Sequence, residues 1–274
     1  MFLFTSLVLI SACSKDGIEG GQGAWAEVPK YLKDFAETSE CAAPDITGVI
    51  NFYVFTTPSY QDNPEVHGEV SANFFDEMNG EAVDKGTLQI GNSANTQPAS
   101  LSSAEASSNN GNEYRLNFNA KELYGGSASI RLINGNSVDM DESYNLPSFI
   151  NISNSSLLLG TFKDINNQNN SFNWTGDSNN ALGVALILSY QPESPLNVDL
   201  KNQGHTEQVK NVILTQDTGN YTFSSDDFNG IPMGAYVEMS MARGNCDVIE
   251  NGSDKFLITG YIVTTSGFHY YGLN

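Results

Sequence analysis

Basic residues are scarce in this chain: 12 lysines and arginines stand against 32 aspartates and glutamates, a net charge of -20 over 274 residues. Phosphate recognition needs a clustered basic stripe, and Arg115, Arg131 and Arg243 are scattered, so the composition argues against nucleic acid as a partner. The same field repels anionic head groups, so membrane association would have to rest on a lipid and not on charge. Histidine is equally thin. His67, His205 and His269 lie far apart, and neither HExxH nor GxSxG occurs, which removes the zinc-protease helix and the hydrolase nucleophile elbow. No cofactor motif is present either. Charged residues reach only 16%, and Asn, Ser, Thr and Gln supply the polar surface instead, a mix that reads as extracellular β-structure.

Against these absences, the N-terminus is distinctive. The apolar run Phe2–Ile10 is nine residues long, far short of the ~20 that cross a bilayer, and it closes on Ile10-Ser11-Ala12-Cys13. That order reads as a lipobox, although no Lys or Arg precedes the run. The expectation is a lipoprotein signal peptide over 1–12, with Cys13 lipidated at sulfur and serving as the membrane anchor. Cys41 and Cys246 then remain as one even pair in an oxidising compartment and read as a disulfide. Neither has a Cys or His at ligand spacing, so a metal site is the weaker reading.

Residues 13–24 include a glycine-rich stretch with no hydrophobic period, which describes a flexible tether. Residues 25–47 hold a short helix and a connection. Pro29 suits a first helical turn, and Tyr31, Leu32, Phe35 and Ala36 share a face opposite Lys30, Lys33, Asp34 and Glu37.

Beyond them the chain reads as all-β. Gly48–Thr57 is a dense β-branched and aromatic run. Val66, Gly68, Val70, Ala72 and Phe74 alternate with His67, Glu69, Ser71 and Asn73, which places His67 on a wet face. Further strands are expected at 87–90, 114–118 and 127–133, with the Ser-, Ala- and Asn-rich stretch 92–112 as a loop or insertion. The apolar pattern lapses near Asp139, Asp141 and Glu142, which reads as a seam. A second series follows at 157–159, 172–175, 182–190, 209–215, 220–223, 235–241 and 256–263, in which 182–190 is apolar on both faces and should be central. Ser224 and Asp226-Asp227 suit one helical turn. The expected architecture is two tandem immunoglobulin-like β-sandwiches, 48–145 and 146–274.

A resemblance accompanies this pattern. Asn173-Trp174-Thr175-Gly176-Asp177 with Asn180 and Gly183-Val184, then Asp217-Thr218-Gly219-Asn220-Tyr221-Thr222, Gly230-Ile231-Pro232-Met233-Gly234-Ala235 and Arg243-Gly244-Asn245, resemble uncharacterised lipoproteins of Bacteroidota built as tandem β-sandwiches. Cys13-Ser14-Lys15-Asp16 is similar to the signal that sends such lipoproteins to the outer face of the outer membrane, matched in part. The resemblance implies an outer-membrane location at the cell surface, with the periplasmic leaflet as the other possibility, and carries no activity over.

Few constellations bear chemistry. Asp217-Thr218-Gly219 spells the aspartic-protease triplet, but polar Thr215-Gln216 precede it where that site needs an apolar strand, and a turn explains it better. Asp164–Asn170 is rich in oxygen ligands but lacks the glycine and glutamate of an EF-hand. Asp139, Asp141 and Glu142 are a better calcium candidate, weighed against a solvated acidic linker. Trp174, Tyr190, Phe268, Tyr270 and Tyr271 form a candidate sugar-stacking set, weighed against core packing. The expectation is therefore a non-enzymatic, membrane-anchored surface lipoprotein that binds a glycan or protein partner through loops and through Trp174, Tyr270 and Tyr271; the alternative is a cell-envelope hydrolase acting on polysaccharide, whose paired carboxylates would meet only in the fold.

Overall fold

The computed structural model describes residues 46–56, 66–75, 82–92, 95–98, 100–103, 112–152, 163–168, 170–180, 183–201 and 203–273. The expected signal peptide, tether and helix, together with Cys13, Cys41 and the strand at 157–159, lie outside them. The strands in chain order are β1 (Gly48–Thr56), β2 (His67–Phe75), β3 (Ala82–Val83), β4 (Thr87–Asn92), β5 (Asn95–Pro98), β6 (Ser100–Ser103), β7 (Asn112–Asn119), β8 (Ser127–Asn134), β9 (Ser137–Asn145), β10 (Lys163–Ile165), β11 (Ser171–Asn173), β12 (Val184–Tyr190), β13 (Gln208–Leu214), β14 (Asn220–Thr222), β15 (Tyr236–Asn251) and β16 (Asp254–Tyr270). Helical structure among the described residues is confined to short 3-10 turns at Ala120–Glu122, Pro195–Asn197 and Ser225–Phe228. The last of these falls where one turn was expected, and there Asp227 accepts from both the N–H and the hydroxyl of Ser224, at 2.7 and 3.0 Å.

The all-β expectation holds, and the sheets pack face to face. A ten-stranded sheet runs β13-β12-β15-β16-β1-β2-β7-β6, with β10 added beside β16 and β3 beside β2; a four-stranded sheet runs β5-β4-β8-β9; β11 pairs with β14. Period-two alternation decides which side chains meet. Ile50, Phe52 and Val54 of β1, Val70, Ala72 and Phe74 of β2, and Ile130 and Leu132 of β8 are buried in one core with Met239, Met241, Ile258 and Ile262 of β15 and β16. As expected, β12 is buried at every position and lies inside the sheet, between β13 and β15.

Three features depart from the local pattern. The main sheet does not stop at the expected 145/146 boundary: β1 pairs in parallel with β16 from Gly48↔Phe256 to Thr56↔Thr264, so both halves of the chain share one sheet and one core. The expected seam is strand β9, whose Met140 and Tyr144 face inward while Asp141 and Glu142 are exposed. And the polar stretch 92–112 includes β5 and β6, which pair with β4 and β7 through backbone bonds that need no apolar side chain.

The long hairpin β15–β16 organises the sheet. On one edge β16 pairs with β15 from Tyr236↔His269 to Asn251↔Asp254, and its other edge is divided between β1 and β10. Phe52 sits at this parallel seam, fully buried and stacked on Tyr144 of the facing sheet at 6.1 Å. Phe52→Ala should cost about 3 to 5 kcal/mol, and because the seam joins both halves, calorimetry should show one transition moving as a whole. Two transitions, with only one displaced, would contradict the shared core.

Candidate functional site

Most of the motifs that carry the resemblance converge in space. Arg243 stands on β15 in the inward series Val237, Met239, Met241, and its side chain is completely buried. Burying a guanidinium is expensive unless every donor is met and the charge is paired. Arg243 Nε pairs with Asp217 Oδ2 at 2.6 Å. Nη1 donates to the carbonyls of Ser148 (3.0 Å) and Phe149 (3.3 Å), and Nη2 to that of Thr175 (2.6 Å). Asp217 accepts in turn from Trp174 Nε1 at 2.7 Å and from Asn180 Nδ2 at 3.1 Å.

Glycine lets these loops approach. A Cβ on Gly176 would lie 2.8 Å from the Asp217 carbonyl, and one on Gly219, at φ +80°, 2.7 Å from the Trp174 carbonyl. Trp174 N–H donates to Gly219 at 2.8 Å and Thr175 N–H to Asn151 at 2.7 Å. Asp177 closes the set, accepting from the Ser148 and Asn179 N–H groups at 2.8 and 2.9 Å. Burial pushes the Asp177 carboxyl up, but those two bonds and the Arg243 charge outweigh it and hold the group below its usual range. Asp177 therefore stabilises the fold above its unfolded value of about 3.9, and that contribution is lost as pH falls through the folded value.

This network ties three connections onto the main sheet and spends the polar atoms that looked like chemistry. Asp217 is paired with a guanidinium, whereas an aspartic-protease carboxylate shares a proton with a second carboxylate. Trp174 is 4% exposed, its ring tilted on Phe172 and its N–H committed to Asp217. The candidate stacking set is corrected accordingly: Tyr190, Phe268 and Tyr270 are core residues too, with Tyr270 stacked on Phe228 at 4.1 Å, and Tyr271 alone of the five is exposed, at 47%. Burial follows from β16 running on through Tyr270, so that Phe268 and Tyr270 fall on the inward parity. Among the described residues no group of three or more His, Cys, Asp or Glu is placed to hold a metal. Asp141 instead pairs with Arg131 at 3.2 Å, and Asp139 accepts from the Ser137 hydroxyl at 2.8 Å.

The exposed chemistry gathers at the end of the sheet where β15 begins and β16 finishes. Asn197, buried in the β12–β13 connection, uses its amide like a strand neighbour: Nδ2 donates to the Tyr236 carbonyl at 3.1 Å and Oδ1 accepts the Tyr236 N–H at 2.7 Å. Leu196 and Val198, beside that anchor, are exposed. Tyr236 pairs with His269, their rings 5.7 Å apart, and His269 lies 6.2 Å from Tyr271. Met233, 67% exposed, rests against Gly272, where a Cβ would meet its Cε at 3.3 Å. Both connections are pinned, since Gly234 N–H donates to Tyr270 at 2.7 Å and Tyr271 N–H to Ile165 at 2.9 Å. Sequence reading found Tyr271 but missed Met233, Leu196 and Val198; three apolar residues within turn-rich segments are the signal that was there.

Glu238 stands between Ser189 and Gly267 on the opposite face of β15 from Arg243's neighbours. Burial pushes its carboxyl up to about 6. No family model matches the chain, and no curated protein matches it.

Two outcomes follow from these geometries. Asp217→Asn keeps the shape but removes the carboxylate paired directly with the buried Arg243 guanidinium, and should cost about 3 to 5 kcal/mol in urea unfolding. Loss of the surface pairs of Arg115 with Glu69 and Glu113 in Arg115→Ala should cost about 0 to 1 kcal/mol per pair; a total equal to the cost of Asp217→Asn would show that the buried pair carries no special weight. For Glu238 the folded value lies above the unfolded value of about 4.3, so its contribution is fully present below that pH and lost as pH rises through about 6. Glu238→Gln should therefore raise the melting temperature, relative to wild type, more at pH 8 than at pH 4, and a pH-independent difference would contradict the assignment.

Proposed function

We propose that this protein is a surface lipoprotein of the outer membrane, anchored through Cys13 and cross-linked by Cys41 and Cys246, that binds a glycan or protein partner without catalysing a reaction. The observation that carries the binding reading is the pinned loop end: Met233, which rests against Gly272, and Tyr271, the residue before that glycine, are both exposed, on connections whose backbones are held by Asn197, Tyr270 and Ile165. Binding residues on β scaffolds sit on loops positioned by rigid strands. Tyrosine offers contact area at low entropic cost, and methionine adapts to irregular partners. Leu196 and Val198 extend the apolar surface across the neighbouring connection. With a net charge of -20 the protein repels polyanions, so a neutral glycan or a basic or neutral protein face is the complementary class.

One experiment on intact cells addresses anchoring and binding together. Cys13→Ala should lose incorporation of an alkyne fatty acid and leave the membrane fraction. The Met233→Ala, Tyr271→Ala double variant should keep both, retain its circular dichroism, and lose ~1 to 3 kcal/mol of affinity for the glycan or surface protein captured by wild type. Undiminished binding by the double variant, or breakdown of a glycan by purified wild type, would overturn the reading.

A further inference from the structure

The ten-stranded sheet has two faces, and the packing described so far uses one. On the other, Ala185 and Ile187 of β12, Ala242 of β15, and Tyr261 and Val263 of β16 form a second buried cluster, with Tyr53, Phe55 and Val209 packed at its rim. Among the described residues every member of the cluster belongs to the sheet itself, and yet Ala185, Ile187 and Val263 are sealed from solvent. A sheet with both faces apolar requires a layer on each.

Cys246 shares this outer face. Alternation from Ala242 along β15 puts residues 244 and 246 on the same side, and the unbroken register sets Cys246 opposite Thr259. Thr259 is opposite Asn51 in turn and donates to its side chain at 2.7 Å. Cys246 is thus two strand spacings, about 10 Å, from β1. Residues 41 and 51 are separated by 51 − 41 = 10 residues, a reach of up to about 33 Å. The chain that precedes β1 therefore reaches this face easily.

We propose that the outer face is the seat of the chain's own segment Pro29–Cys41, its Tyr31, Leu32 and Phe35 laid on the second cluster and its end fixed by a Cys41–Cys246 disulfide. The segment has the required form: one apolar face, a charged face opposite it, and a cysteine at its end. The proposal rests on the export reading for its oxidising compartment and for the assignment of Cys13 to the lipid. It gives the anchor a mechanical continuation, since the tether would end on a segment clamped across β16 and β15 and would leave the loop end with Met233 and Tyr271 free to face outward.

The test is photo-crosslinking in the full mature protein, with p-benzoylphenylalanine replacing Tyr53 in one version and Phe55 in another. Crosslinked peptides should join these positions to residues 29–41, and non-reducing peptide maps should contain Cys41 linked to Cys246. Both results should be unchanged in Cys13→Ala expressed in the periplasm, so failure of the lipid assignment and failure of the seat are separable. Crosslinks confined to other segments, or Cys41 and Cys246 both labelled by maleimide without reduction after unfolding, would overturn the proposal.

Discussion

The Arg243–Asp217 ion pair is the interaction on which the inner layer depends. Its Coulombic gain only repays desolvation if the remaining donors find acceptors, and Nη1 and Nη2 find theirs in the carbonyls of two connections, which the Thr175 to Asn151 and Ser148 to Asp177 bonds also hold together. The pair therefore fixes where residues 148–149, 174–176 and 217–219 run across the sheet. Removing one charge would not loosen one contact; it would leave a buried ion that the surrounding apolar core cannot solvate. Such a network is unforgiving, which makes it a device of conformational specificity as much as of stability.

Around that tie, the long β15–β16 hairpin distributes the tasks. Its inner parity supplies Met239, Met241, Ile258 and Ile262 to the core, and its outer parity supplies Ala242, Tyr261 and Val263 to a second cluster. Its middle carries the parallel seam with β1, and its open end presents the pinned loops. Exposed apolar residues at that end are held by backbone bonds on each side, so a partner would meet them with little ordering cost left to meet.

Much of the local structure was legible in the sequence, and the reason is alternation. Strands β2, β7 and β8 follow directly from period-two patterns, as does the wet face carrying His67, while β1 and β12 follow from dense apolar runs. What was not legible is pairing over distance: nothing in Gly48–Thr56 announces that its neighbour begins at Phe256. The acidic β9 read as a seam because only Met140 and Tyr144 mark its inner face. Phe268 and Tyr270 read as an exposed tail because β16 was expected to end at Val263, whereas continuing its parity places both inside. Arg243 did give a signal, as the one charge at an inward position of an otherwise apolar series, but its partners are turn residues whose glycines and asparagines have ordinary turn explanations. The loop end was found in outline and wrongly populated, since Trp174 and Tyr270 have the composition of a binding site and the burial of a core.

That the convergent motifs form an all-or-none tie and not a mobile site can be read from native-state hydrogen exchange at the Trp174 and Thr175 amides, which bond to Gly219 and Asn151. Amides held by such a tie should exchange only through global unfolding, with the same opening free energy as the buried amides of β12 and β15. Exchange of Trp174 and Thr175 through a local opening several kcal/mol below the global value would contradict it.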